Sequence, residues 1–161
     1  MNKVITTKAA IIISERLRKE NKTIVLAGGC FDILHNGHIA YLTKAKEQGE
    51  ILMVLLENDK TIKKLKGKNR PFHAQKDRAA ILASLEVVDY IVLLPYMEND
   101  KSYDKLVISL KPDIIAATKG DPQESHKQRQ AKQIDAKVVE VIKRIKDSST
   151  SQLAEHLYKK V

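Results

Sequence analysis

Five short, mainly apolar runs, at residues 23–27, 51–56, 90–94, 113–117 and 137–141, alternate along the chain with segments patterned for helices. Runs this short, apolar at consecutive positions, suit strands covered on both faces. The helical segments between them span 37–48, 74–85, 102–110 and 123–134. An amphipathic helix at 8–20 leads the series and another at 152–160 closes it. Strand and helix in strict alternation imply parallel pairing through right-handed crossovers. The expected fold is therefore α/β: a three-layer sandwich around a doubly wound, five-stranded parallel sheet. No repeat or linker divides the sequence, so residues 1–161 read as one domain with 1–22 packed onto it.

Composition narrows the class of partner. Apolar residues at 43% and charged residues at 30% fit a soluble globular protein. The single cysteine, Cys30, excludes an internal disulfide framework and suits a reducing cytoplasm. No segment approaches a membrane span, and 9–13 is too short and poorly flanked for a signal peptide. A net charge of +9 admits nucleic acid as a ligand, but aromatics are only 4% and tryptophan is absent, so stacking platforms are scarce. Neither a nucleic-acid nor a membrane partner is expected. Part of the basic excess gathers at Lys60, Lys63, Lys64, Lys66, Lys68 and Arg70. Such a run is commonly a solvated loop or helix face. Its place after the second strand also suits a mobile basic loop that closes over a triphosphate.

The most informative stretch is Gly28-Gly29-Cys30-Phe31-Asp32-Ile33-Leu34-His35-Asn36-Gly37-His38, where the first strand hands over to a helix. Open α/β sheets bind ligands at such strand ends, and a helix start offers free N–H groups and a positive dipole end to phosphate. Gly37 permits close approach, and Asn36 is a candidate cap. The string fits neither a Walker loop nor the Gly-x-Gly-x-x-Gly dinucleotide fingerprint. His35 and His38, three apart, face one side of the first turn. They can serve as phosphate donors, metal ligands or packing residues. The helix terminus and basic surroundings favour phosphate donors, and His73, His126 and His156 lie in unrelated contexts, so no protein metal site is expected.

The stretch 29–38 resembles the signature of the cytidylyltransferase-like nucleotidyltransferase superfamily. Its form is close to that of bacterial heptose-phosphate adenylyltransferases and glycerol-phosphate cytidylyltransferases. Further segments are similar in family order: Asn58 to Gly67 with Arg70-Pro71, Asp77 to Leu82, Val88 to Val92, Lys111 to Ile115, Lys119-Gly120-Asp121, Arg144, and Ser149-Thr150-Ser151. The resemblance covers roughly residue 23 to the end. Arg144 looks like the cytidylyltransferase branch, while the leading helix and the Leu65-Lys66-Gly67…Arg70-Pro71 stretch look like the heptose branch. The segment 118–123 lacks the glycine pair and the aromatic usual around the aspartate, and the final triplet reads Ser-Thr-Ser instead of Ser-Thr-Thr.

The resemblance implies a reaction. An acceptor phosphate oxygen attacks the α-phosphorus of a nucleoside triphosphate, ATP or CTP, and pyrophosphate leaves; catalysis is placement plus neutralisation of developing charge. The implied acceptor is a sugar or polyol phosphate, most like D-glycero-D-manno-heptose 1-phosphate. The alternatives are glycerol 3-phosphate, flavin mononucleotide and phosphopantetheine, and a more distant one is a non-catalytic nucleic-acid binder. His35, His38 and Lys66 would be catalytic. Gly29, Cys30, Phe31, Asp32, Gly37, Lys119, Gly120, Asp121, Arg144, Ser149, Thr150 and Ser151 would bind nucleotide, Asp32 as an orienter of the loop. Asp59, Lys63, Lys64 and Arg78 fall on the substrate side, although a mid-helix arginine can equally pair with a nearby acid. Mg²⁺ is implied as the companion of the triphosphate, and a homodimer is a common state among proteins of this kind.

Overall fold

In the computed structural model, which describes residues 2–143, helices and strands alternate as β1 (Val4–Thr6), α1 (Thr7–Lys19), β2 (Ile24–Gly29), α2 (Asn36–Lys46), β3 (Ile51–Leu56), α3 (Asp59–Lys66), α4 (Gln75–Ala83), β4 (Tyr90–Leu93), α5 (Asp100–Leu110), β5 (Ile114–Lys119), α6 (Glu124–Ile134) and β6 (Lys137–Lys143). All strand pairs are parallel, in the order β1-β4-β3-β2-β5-β6. The apolar runs became strands for the reason their composition implies. Leu52 to Leu56 and Ile24 to Ala27 are buried on both faces. One face packs Ala10 and Leu17 of α1, Leu106 and Leu110 of α5 and Ile134 of α6. The other packs Tyr41, Leu42 and Ala45 of α2 with Ala79 and Leu82 of α4. The three layers follow.

The sheet has six strands, not five. Val4 to Thr6 is too short to carry a period of its own and becomes a strand only by pairing with Ile91 to Leu93. Residues 59–66, for which the basic run left a solvated helix face or a mobile loop open, form a helix. Asn58 caps it by accepting from the Lys60 N–H at 2.9 Å, Thr61 and Ile62 point inward, and Gly67 stops it at φ 99°. The remaining expected elements begin and end within about two residues of those observed. The closing helix at 152–160 lies outside the described residues.

Two aspartates seat strand entrances. Asp113 Oδ2 accepts from the Ile24 N–H at 2.8 Å, and Asp89 Oδ2 accepts from the Leu52 N–H at 2.6 Å while pairing with Lys46 at 2.5 Å. Both fix the register of β2 and β3 with their neighbours. Strand order reverses between β2 and β5, so a crevice opens at their carboxyl ends, the usual ligand position of this architecture.

The turn from α2 into β3 is tight. A Cβ on Gly49 would lie 2.7 Å from Val25 Cγ2, 2.9 Å from Thr23 Cγ2 and 3.0 Å from the Thr23 carbonyl oxygen. Gly49→Ala therefore overpacks the base of β2 and is expected to destabilise the fold by about 1–3 kcal/mol, read as a lowered denaturant midpoint.

Candidate active site

The chain leaves β2 through Gly28, Gly29 and Cys30 and enters α2 at His35. Phe31 takes a left-handed φ of 46°, which turns its ring back into the core at 4% exposure. A Cβ on Gly29 would meet that ring at 3.0 Å, so this position suits glycine alone. The Phe31 ring meets the His38 ring with centroids 5.0 Å apart, and His38 stacks on His35 at 3.8 Å. One aromatic column thus fixes both imidazoles at the head of α2.

His35, not Asn36, is the N-cap residue; Asn36 is already helical, and no side chain caps the helix. The first turn therefore keeps donors for a ligand. Nδ1 of each histidine is buried without a hydrogen bond among the described residues. Burial pushes the His38 ring down to about 4, helped by His35 and Lys66 and opposed by the Ile33 carbonyl. His35 is lowered by burial and then by Lys66. Both rings are thus neutral at pH 7, each carrying a single N–H, and that of His38 meets the Ile33 carbonyl. Lys66, at the end of α3, stands close enough to act on His35, His38 and Cys30 together. Lys63 and Lys64 lie on the exposed side of the same helix. Lys60 Nζ sits 4.0 Å above the Tyr96 ring and ties α3 to the segment after β4.

Two buried arginines support this arrangement. Arg78, expected on the substrate side, is fully enclosed in α4. It donates to the carbonyls of Cys30 at 2.6 Å, Glu57 at 2.9 Å and His73 at 3.0 Å, and to Asp59 Oδ1 at 2.5 Å. Its guanidinium braces the loop instead of facing the crevice, and Asp59 is its partner. Asp32 has no exposed surface on its side chain. It accepts from Arg70 Nε at 2.5 Å and from the Phe72 and His73 N–H groups at 2.7 and 3.3 Å. It orients the loop against the segment after α3.

A cavity of about 470 Å³ opens on the α5–α6 side of β2. Gly28, Gly29 and Cys30 border it, and so do Glu57, Tyr103 and Asp121. Asp121 is held by Lys127 at 2.7 Å and accepts from the Gln123 N–H at 2.8 Å; these contacts keep its carboxyl below the usual range against the effect of burial. Lys119 ends β5 on the exposed side, and Gly120 turns the chain at φ 73°. Arg144, Ser149, Thr150 and Ser151 lie outside the described residues. Sequence reasoning overlooked Glu57, whose signal was a carboxylate directly after the apolar run 51–56. It also overlooked Arg70 as the partner of Asp32.

Two outcomes follow from this geometry. Asp32→Asn leaves Arg70 buried without its counter-charge and should cost about 3–5 kcal/mol of stability, measured by denaturant unfolding. The unfolded chain takes up the His38 proton near pH 6.5, while the folded chain resists it down to about 4. Stability is therefore highest above pH 6.5 and falls as pH drops towards 4. In His38→Gln that part of the stability profile flattens.

Comparison with known proteins agrees with the geometry. The cytidylyltransferase-like family profile matches residues 26–156. The bifunctional protein HldE of a Nitratiruptor species is 44% identical over 147 residues, 91% of this chain and 30% of that protein. HldE of Helicobacter pylori (strain J99) is 50% identical over 101 residues, 63% of this chain and 21% of that protein. The chain thus spans less than a third of the length of these curated relatives. The crystal structure of the lipopolysaccharide core biosynthesis protein from Thermoplasma volcanium superposes with a TM-score of 0.61 at 30% identity, covering 77% of this chain and 97% of that one. With the family profile spanning most of the sequence and the histidine pair at its expected place, the chain belongs to the cytidylyltransferase-like family.

Proposed function

We propose that this chain transfers the nucleoside monophosphate of ATP to a sugar 1-phosphate, a heptose 1-phosphate foremost, and releases pyrophosphate. The observation that carries this reading is the stacked, neutral His35–His38 pair at an uncapped helix start with Lys66 beside it. The choice of ATP and heptose rests on the leading helix, on the Leu65-Lys66-Gly67 stretch and on the HldE relatives. The Thermoplasma neighbour, titled a lipopolysaccharide core biosynthesis protein, is consistent with a saccharide acceptor.

The chemistry asks little of the protein beyond placement. The acceptor phosphate is already an anion and needs no strong base. Its oxygen attacks the α-phosphorus in line, and negative charge grows on the non-bridging and leaving oxygens. The α2 backbone N–H groups and the imidazole N–H groups donate to the first set, and Lys66 to the β- and γ-phosphates. A neutral imidazole keeps its donor fixed without competing for the metal-bound phosphates. Mg²⁺ belongs to the substrate as the metal–triphosphate complex, because the donors around the helix start are imidazoles and an ammonium, which suit phosphate oxygens and not a hard cation. No helix among the described residues is long and apolar enough to cross a membrane. The substrates of this reaction are soluble small molecules, and the compartment proposed for it is the cytoplasm.

The decisive assay is Mg²⁺-dependent pyrophosphate release, with ATP and CTP offered separately to heptose 1-phosphate, glycerol 3-phosphate, flavin mononucleotide and phosphopantetheine. Release is expected with ATP and the heptose. His38→Ala should lower turnover about a hundred- to a thousandfold while the protein stays folded. Wild-type turnover retained in that variant would refute the role given to the histidine pair.

A further inference from the structure

The cavity beside the glycine turn is chemically unlike the helix start it adjoins. Four carboxyl side chains line it, Glu57, Glu98, Asp100 and Asp121, against Lys64, Lys127 and His126, whose ring faces Asp100 at 3.5 Å. Lys127 is already occupied by Asp121 and by the Ala116 carbonyl at 2.8 Å. A triphosphate is repelled by such a wall, whereas neutral hydroxyls donate to it. Leu55, Val107 and Ile115 supply apolar wall, and Asn99, Gln123 and Gln130 add neutral polar groups. A carbohydrate has both faces, C–H groups for an apolar wall and hydroxyls for acceptors.

Glu57 is the member of this wall nearest in sequence to the chemistry. It follows β3 directly, and its N–H donates to the Gly29 carbonyl at 3.1 Å, inside the loop that precedes the histidines. Asp32, Asp59 and Asp121 each hold a cation at 2.7 Å or closer. Glu57 instead accepts from the Tyr103 hydroxyl at 2.9 Å. Arg78 donates to its main-chain carbonyl and reaches the carboxyl only at longer range. A carboxylate offers roughly four acceptor positions; Tyr103 and the Asn58 N–H leave some of them for a ligand.

We propose that this cavity seats the polyhydroxylated body of the acceptor, and that Glu57, steered by Tyr103, accepts a hydrogen bond from one of its hydroxyls and so sets acceptor choice. This rests on the transfer reaction proposed above and names the part of the site that selects its second substrate. The phosphate of the acceptor then points over Gly29 towards the histidines, and the ring lies against Leu55 and Val107.

The test uses the full chain with D-mannose 1-phosphate and its monodeoxy analogues, following both calorimetric binding and pyrophosphate release. In the wild type one deoxy analogue should bind about ten- to a hundredfold more weakly than the parent, as for a charge-assisted hydrogen bond. Glu57→Leu should bring the parent down to that analogue while leaving ATP affinity unchanged. Glu57→Gln, which keeps a carbonyl acceptor, should restore part of the difference. Tyr103→Phe, which leaves the carboxyl in place but unsteered, should lose several-fold of the same discrimination, and serves if Glu57→Leu does not fold. No binding of the parent sugar phosphate, or equal losses for parent and deoxy analogues in Glu57→Leu, would overturn the proposal. Hydroxyl discrimination without pyrophosphate release from any acceptor, heptose 1-phosphate included, would uphold the cavity and refute the transfer reaction. Release without discrimination would do the reverse.

Discussion

The enclosed guanidinium of Arg78 is the contact on which the site depends. Its acceptors belong to three stretches of chain: the turn after β2, the junction between β3 and α3, and the entry to α4. A planar fork of five donors suits such a junction, since it fixes direction as well as distance. A lysine would hold one of these partners and release the rest. The loop that carries the histidines is therefore rigid because a cation sits beneath it, while the glycine turn itself stays open to the crevice.

Arg70 and Asp32 repeat the device from the other side. Their pair is almost free of solvent, and Asp32 also collects the Phe72 and His73 N–H groups. Buried ion pairs add little net stability compared with apolar packing, yet they tolerate few alternative arrangements. The two arginines tie the loop after β2 to the segments around α3 and α4. The stacked imidazoles are held by the Phe31 ring, which this braced loop carries.

Much of the fold was legible because strands buried on both faces leave uninterrupted apolar runs, as β2, β3 and β4 do; the edge strand β6, interrupted by Glu140, stood out only by its Val and Ile content. β1 was not legible, since three residues have no periodicity and depend wholly on β4 for partners. The basic run left a helix face and a loop both open, because its charges dominate the pattern and only Thr61 and Ile62 turn inward. The histidine loop was readable from residue type and spacing. Arg78, Arg70 and Glu57 were not, because an arginine or glutamate in sequence carries no mark of its burial. That property comes from segments remote in sequence closing over the side chain, as Cys30 does for Arg78, Asp32 for Arg70 and Tyr103 for Glu57.

The edge strand has a consequence for how the chain acquires its shape. Val4 to Thr6 is made before its partner, Ile91 to Leu93, which follows only after β2, β3 and four helices. Until β4 is in place, α1 has no complete surface on which to lay Ala10 and Leu17. The N-terminal segment must therefore wait for more than half of the chain before it docks. Non-local closure of this kind slows folding. It also leaves an apolar amphipathic helix open to solvent, and to chaperones, for as long as the ribosome takes to deliver β4.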